Sequence, residues 1–125
     1  MLNLLELEFE MQGEWHIGVI VNNDFLFYTT ENTVAIPLRQ YPADVQLVFT
    51  GKSYHIADHA DNYCKIKNLY LNKLYFPYLI HQCELCSDHS DYKSIPACNL
   101  INLNGVWKIT INSDTVQQQL RQIIE

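Results

Sequence analysis

The sequence predicts an α+β or mainly-β domain, an antiparallel meander that forms a small sandwich or a partly open barrel with one C-terminal helix. Three observations predict it. Apolar and acidic residues alternate over 5–11, an Asn-Gly pair separates two apolar runs at 104–105, and the apolar period becomes helical over 112–124. The length of 125 residues fits a single domain, with a β-rich body at 5–111 and the helix at 113–124.

The first predicted strand has the most regular pattern in the chain. Its period of two is typical of a strand that is buried on one face only. The apolar side is Leu5, Leu7, Phe9 and Met11, and the solvated side is Glu6, Glu8 and Glu10. Turn residues at 12–13 and 22–24 separate this strand from two others at 14–21 and 25–30, so residues 5–30 predict a three-stranded meander.

The middle of the chain predicts further short strands bounded by turn residues, at 34–38, 44–49, 64–71 and 74–80. Proline removes a backbone donor, so Pro37 and Pro77 indicate strands at the edge of a sheet. Asn72-Lys73 is a candidate two-residue turn between the last two of these strands. The polar stretch from Cys86 to Pro96 predicts a loop.

The C-terminal region combines a hairpin signal with a helix signal. Asn104-Gly105 between the apolar runs 98–103 and 106–111 predicts a hairpin, because both turn residues adopt positive φ at little cost. The next apolar residues then recur at the spacing of one helix face. They are Val116, Leu120, Ile123 and Ile124.

The composition narrows the partner class and the cellular location. The net charge is −6, from 14 acidic and 8 basic residues, which argues against a nucleic-acid partner because phosphate would be repelled. No apolar run reaches the length of a membrane span, and the N-terminus lacks the basic start of a secretion signal. We therefore expect a cytoplasmic protein, or one incorporated in an assembly built there, with reduced or metal-bound cysteines.

One Cys/His cluster points to possible metal chemistry. Cys-x-x-Cys places two thiolates on one zinc ion, and the pair Cys83 and Cys86 is flanked by His81 and His89. A second ligand pair at defined spacing is missing, so the alternative is that these are ordinary structural side chains. We expect no other cofactor.

An aromatic tract at 69–80 is the other notable feature. It is too apolar for one solvated strand face, so it is either a buried strand or a strand whose face is covered by a partner. Tyrosine combines a large contact area with a polar tip, and Pro77 favours an edge position. The predicted interface residues are Tyr70, Tyr75, Phe76 and Tyr78.

The sequence contains no recognisable catalytic motif. It lacks a Gly-x-Ser-x-Gly elbow, and its four glycines form no phosphate-binding loop. We therefore expect a non-enzymatic protein-interaction module, either an inhibitor or immunity-type binder or a structural subunit of a larger assembly such as a phage particle. Its expected partner is another protein or further copies of itself. The alternatives are a zinc-stabilised binding module that uses Cys83 and Cys86, and a small ligand-binding barrel or enzyme whose site forms only in the fold.

Overall fold

The structure is a computed structural model, and it describes residues 3–51, 62–87, 95–101, 104–112 and 114. Within these residues the chain forms eleven strands and one short 3-10 helix at Pro77–Gln82. The strands are β1 (Asn3–Gln12), β2 (His16–Val21), β3 (Asp24–Thr29), β4 (Thr33–Leu38), β5 (Ala43–Thr50), β6 (Tyr63–Leu71), β7 (Leu74–Tyr75), β8 (Cys83–Ser87), β9 (Ile95–Pro96), β10 (Leu100–Ile101) and β11 (Gly105–Ile111).

The strands form two antiparallel sheets. Sheet A has the order β10-β6-β1-β4, and β7 pairs with β6 on the edge that β10 also uses. Sheet B has the order β3-β2-β5-β11-β8-β9. The predicted antiparallel, mainly-β fold is therefore confirmed. The described strands form two separate sheets, so they do not close into a barrel.

The two sheets enclose one hydrophobic core, as in a β-sandwich. Phe9 of sheet A meets Phe49 of sheet B edge to face, with ring centroids 5.9 Å apart. Trp15 packs against the same Phe49 ring at 6.4 Å. Trp107 is fully buried and donates its indole N–H to the carbonyl of Cys98 at 3.0 Å. These aromatic side chains pack in the core between the two sheets.

The alternation predicted for β1 is confirmed. Leu5, Leu7 and Phe9 are buried, whereas Glu10 is exposed and the other two glutamates are half-buried. β1 lies between β4 and β6, so its inner residues reach the centre of the core. Pro37 lies on β4, which ends the strand order of sheet A as the proline predicts.

The predicted meander over 5–30 is wrong at its first connection. β1 pairs with β4 and β6, whereas β2 pairs with β3 and β5 in the other sheet. The chain crosses between the sheets after Gly13, whose φ of 90° suits glycine. Trp15 follows, buried in the core, and donates its indole N–H to the carbonyl of Gln12 at 3.1 Å. We attribute this crossing to the burial of Trp15, which contributes more to stability than a local hairpin between β1 and β2 would.

The predicted hairpin at 104–105 is also wrong. β10 pairs with β6 in sheet A, whereas β11 pairs with β5 and β8 in sheet B. Asn104 is used differently, because its side-chain oxygen accepts a hydrogen bond from the Gly51 backbone N–H at 2.9 Å. The polar turn residue therefore joins two distant segments.

The predicted strand at 74–80 is shortened to β7. Pro77 begins a 3-10 helix, which suits a residue with fixed φ and no backbone donor. The following segment forms β8 at Cys83–Ser87, where the sequence predicted the start of a polar loop. The predicted C-terminal helix at 113–124 lies outside the described residues except for Asp114. In the part of the chain that the structure describes, no helix is long and apolar enough to cross a membrane.

Candidate functional site

The outer face of sheet A carries a row of three carboxylates from β1. Glu6, Glu8 and Glu10 alternate with the buried residues of that strand, so all three project to the side away from the core. β6 and β4 flank this row. The outer face of sheet A therefore places the acidic groups between two neighbouring strands.

Each carboxylate of the row has a partner donated by β6 or by the turn that follows it. Lys73 Nζ lies 3.1 Å from Glu6 Oε1. Asn68 donates its side-chain amide to Glu8 Oε1 at 3.3 Å, and the Tyr63 hydroxyl donates to Glu10 Oε2 at 3.4 Å. These contacts orient the carboxylates and leave acceptor capacity on them, because a carboxylate has about four lone-pair positions.

Tyr70 lies beside Glu8 on this face. The hydrogen bond that its hydroxyl donates to the Glu8 carboxylate raises the pKa of Tyr70, and desolvation and the negative charge of Glu8 raise this pKa further. The neutral phenol is therefore the form that Tyr70 keeps at neutral pH, and it remains a hydrogen-bond donor.

Tyr75 of β7 completes an aromatic pair with Tyr70. The two residues are directly opposite in the β6–β7 hairpin, and their ring centroids are 5.8 Å apart at an interplanar angle of 49°. The Tyr75 side chain is 56% exposed. The pair offers an accessible ring surface at one end of the acidic row.

The turn between β6 and β7 fixes this pair. Asn72 and Lys73 have φ values of 55° and 69°, as the two-residue turn prediction requires. Asn72 also bonds to β1, because its side-chain oxygen accepts from the Leu4 N–H and its own N–H donates to the Leu4 carbonyl, both at 2.8 Å. The hairpin is thereby held against the neighbouring strand.

A shallow groove of about 290 Å³ crosses the outer face of sheet A next to Tyr70. Its walls include Glu6, Glu8 and Thr33, and the small side chain of Ala35 leaves space at its β4 side. The groove thus combines two carboxylates with an aromatic ring. Such a surface can accept hydrogen bonds from several hydroxyl groups and pack against an apolar ring face.

The structure divides the predicted interface residues. It brings Tyr70 and Tyr75 together on the outer face of sheet A. Phe76 is a correction, because its side chain is only 1% exposed and belongs to the core, so it cannot contact a surface partner. Tyr78 belongs to the 3-10 helix, and its side chain lies outside the described part of the structure. The sequence missed Glu6, Glu8 and Ala35, because alternating glutamates are also typical of any solvated strand face.

The structure separates the predicted zinc ligands along β8. Cys83 and Leu85 are buried on the same face of β8, and the Cys83 thiol donates a hydrogen bond to the Ile80 carbonyl at 2.9 Å. Cys86 lies on the opposite face of the strand and is half-buried. Burial raises the pKa of Cys83 to about 11. His81 is exposed, and His89 lies outside the described residues. The zinc hypothesis therefore stays a prediction.

A metal ion needs several donor side chains that converge on one point. Within 3–51, 62–87, 95–101 and 104–112, no three His, Cys, Asp or Glu side chains cluster so that they could hold a metal ion. The acidic row does not form such a cluster, because its members are spaced along an extended strand. The described residues of the outer face therefore do not fit a metal centre.

Comparison with known proteins identifies the fold and no family. No protein-family model and no curated protein matches the sequence. Two solved structures resemble the chain: a selenomethionine form of vCBM60, reported with two families of calcium-dependent carbohydrate-binding modules, and vCBM60 in complex with galactobiose. Their TM-scores are 0.58 and 0.59 at 10% and 9% identity, and the alignments cover 86% of this chain and 90% and 97% of theirs.

Proposed function

We propose that this protein is a non-catalytic binding module that holds a glycan on the outer face of sheet A. The observation that carries the proposal is the Tyr70–Tyr75 pair beside a groove lined by Glu6 and Glu8. The similarity of the fold to vCBM60, a carbohydrate-binding module, supports this ligand class.

The proposed contacts follow from the chemistry of a sugar ring. Its apolar C–H face packs against the exposed Tyr75 ring, and its hydroxyl groups donate to the carboxylates of Glu6 and Glu8. The Asn68 amide and the Tyr70 hydroxyl already bond to Glu8, so they hold its carboxylate in a fixed orientation. A neutral glycan suits this row better than a uronic acid, which the carboxylates would repel.

The proposed contacts use no metal ion, in contrast to the calcium-dependent modules named with vCBM60. This follows from the donor set, since the described residues contain no cluster of three metal-ligating side chains. Glycan binding is therefore expected to be the same in calcium and in EDTA. A requirement for calcium would place the glycan elsewhere and contradict the proposed contacts.

Affinity gel electrophoresis against a panel of neutral polysaccharides, followed by calorimetry with galactobiose, tests the proposal. Retardation by at least one polysaccharide is expected, and Tyr75→Ala should weaken it about twofold to tenfold, since an aromatic contact contributes about 0.5 to 1.5 kcal/mol. Glu8→Gln should weaken it as well. The matched control is Phe25→Ala, because Phe25 is an aromatic residue of sheet B that is also more than half exposed.

Two results would contradict the glycan proposal. One is that no polysaccharide retards the protein. The other is that Phe25→Ala abolishes retardation while Tyr75→Ala preserves it, because the sugar would then lie on sheet B.

A second candidate is the protein-interaction hypothesis, in which this module is a structural subunit that contacts further copies of itself. The specific observation is that both residues of β7 are exposed, Leu74 at 44% and Tyr75 at 56%, although they point to opposite faces of the strand. A sugar stacked on Tyr75 leaves Leu74 in water, whereas a protein that encloses β7 covers both.

Leu74→Ser separates the two candidates. Light scattering after size exclusion should show an oligomer for the unaltered protein and a monomer for Leu74→Ser if β7 mediates self-assembly. The same variant should retain polysaccharide binding if the glycan proposal holds. A monomer at all concentrations would contradict self-assembly through β7.

A further inference from the structure

A cleft of about 380 Å³ lies at the side of the sandwich where an end strand of each sheet is found. One wall comes from the β2–β3 hairpin of sheet B and includes Val21, Asp24 and Leu26. The other comes from the end of β4 in sheet A and includes Pro37 and Arg39. Residues that are distant in sequence and belong to different sheets therefore form one concave surface.

Both walls are held by backbone pairing. At the β2–β3 turn, Asn22 donates its N–H to the Asp44 carbonyl at 2.9 Å, and its side-chain oxygen accepts from the Asp44 N–H at 2.8 Å. On the other side, Pro37 is paired with Leu4 in the ladder between β4 and β1. The cleft is therefore a preformed feature of the fold.

The cleft contains two opposite charges that do not neutralise each other. Asp24 and Arg39 are both exposed and line its two walls. Neither forms an ion pair with any residue that the structure describes. The side chains of Leu26, which is 41% exposed, and of Pro37 and Val21 line the same cleft. The cleft thus combines one cationic group, one anionic group and apolar side chains.

We propose that this cleft binds a small zwitterionic organic molecule, whose carboxylate contacts Arg39 and whose ammonium group contacts Asp24. The planar guanidinium of Arg39 matches a carboxylate with two parallel hydrogen bonds. The apolar part of the molecule packs on Leu26 and Pro37. Amino acids and amino-terminated carboxylic acids have this combination of groups.

The opposite charges select against simpler ligands. An inorganic anion bound at Arg39 would leave Asp24 without a partner and would be repelled by the Asp24 carboxylate. An amine bound at Asp24 would be repelled by Arg39. The cleft lies on a different part of the sandwich from the Tyr70–Tyr75 pair, so this proposal does not depend on glycan binding.

Titration followed by backbone amide shifts in NMR tests the proposal with defined probes. Leucine is compared with N-acetylleucine and leucinamide, and 6-aminohexanoate with hexanoate and hexylamine. At least one zwitterion should shift the amides of 21–26 and 39–40 with a dissociation constant on the order of millimolar, as expected for a small exposed site. Each analogue that lacks one charge should bind about tenfold more weakly.

Variants assign the two charges. Arg39→Gln should weaken binding of the zwitterion about tenfold, so that the zwitterion binds no more tightly than the matching amine. Asp24→Asn should likewise leave the zwitterion bound no more tightly than the matching acid. Glu31→Gln is the matched control, because Glu31 is an exposed acid just beyond β3 and does not line the cleft. The proposal is overturned if neither zwitterion shifts these amides up to about 20 mM, or if the singly charged analogues bind equally well.

Discussion

Asn72 joins the β6–β7 hairpin to β1, because its side-chain oxygen accepts a hydrogen bond from the Leu4 backbone N–H at 2.8 Å. The same residue has a φ of 55°, which asparagine tolerates better than most side chains. A single turn residue therefore sets both the conformation of the hairpin and its attachment to the sheet. The Tyr70–Tyr75 pair depends on this attachment, because the two tyrosines are a cross-strand pair close to the Asn72-Lys73 turn.

Substitution of Asn72 separates these two roles. Asn72→Ala loses the side-chain hydrogen bonds to Leu4 and Asn3 and strains the turn, so the free energy of unfolding should fall by about 2 kcal/mol. Asn72→Gly relieves the strain and loses only the two side-chain hydrogen bonds, so a smaller cost than that of Asn72→Ala is expected. Urea unfolding followed by tryptophan fluorescence measures both. Equal costs for the two variants would show that the backbone conformation contributes little.

Phe49 is predicted to be a sensitive core residue of the sandwich, because its side chain is fully buried. Its ring contacts Phe9 and Trp15, so Phe49→Ala removes contacts between the sheets and should cost about 3 to 5 kcal/mol. The matched control is Phe25→Ala, because Phe25 is 64% exposed on β3 and should cost less than about 1 kcal/mol. Chemical denaturation compares the two, and similar costs would contradict the assignment of the core.

The four cysteines are predicted to differ in reactivity towards a thiol reagent such as Ellman's reagent. Cys64, Cys83 and Cys98 are buried, and burial raises the pKa of each thiol. Only Cys86 is partly accessible. About one thiol should react rapidly at neutral pH and four after unfolding, since the thiolate is the reactive form. Cys86→Ser should remove the rapid phase, and rapid reaction of three or four thiols in the folded state would contradict this burial.

Stability is predicted to fall at alkaline pH because of the buried thiols. Burial raises the pKa of Cys83 to about 11 and that of Cys64 to about 12, against an ordinary value of 9.0. The unfolded chain therefore releases these protons first, so the stability that the neutral thiols provide is complete below pH 9 and is lost as the pH rises towards 11 and 12.

Urea unfolding between pH 8 and pH 10.5 measures this loss. The control is the double variant Cys64→Ala and Cys83→Ala, which has no such thiols and should show a shallower decline. The same slope in both proteins would assign the alkaline loss to other groups, such as the tyrosines and lysines.

The sequence by itself determined the parts of this protein that depend on local rules. Strict alternation placed β1 and its buried face, Asn22-Asn23 and Asn72-Lys73 placed two turns, and Pro37 placed β4 at an edge. In each case a property of single residues decides the result, either a solvated side against an apolar one or a backbone conformation that few side chains tolerate. These rules also identified Tyr70 and Tyr75 as surface candidates.

Only the tertiary structure decided which strands share a sheet. Gln12-Gly13 and Asn104-Gly105 carry turn chemistry, yet the chain changes sheets at both, because burial of Trp15 and Trp107 and pairing with β5 and β6 contribute more than a local hairpin. The binding surfaces follow from these choices. The groove beside Glu8 needs β4 next to β1, and the cleft between Asp24 and Arg39 needs an end strand from each sheet, so no stretch of sequence contains either site.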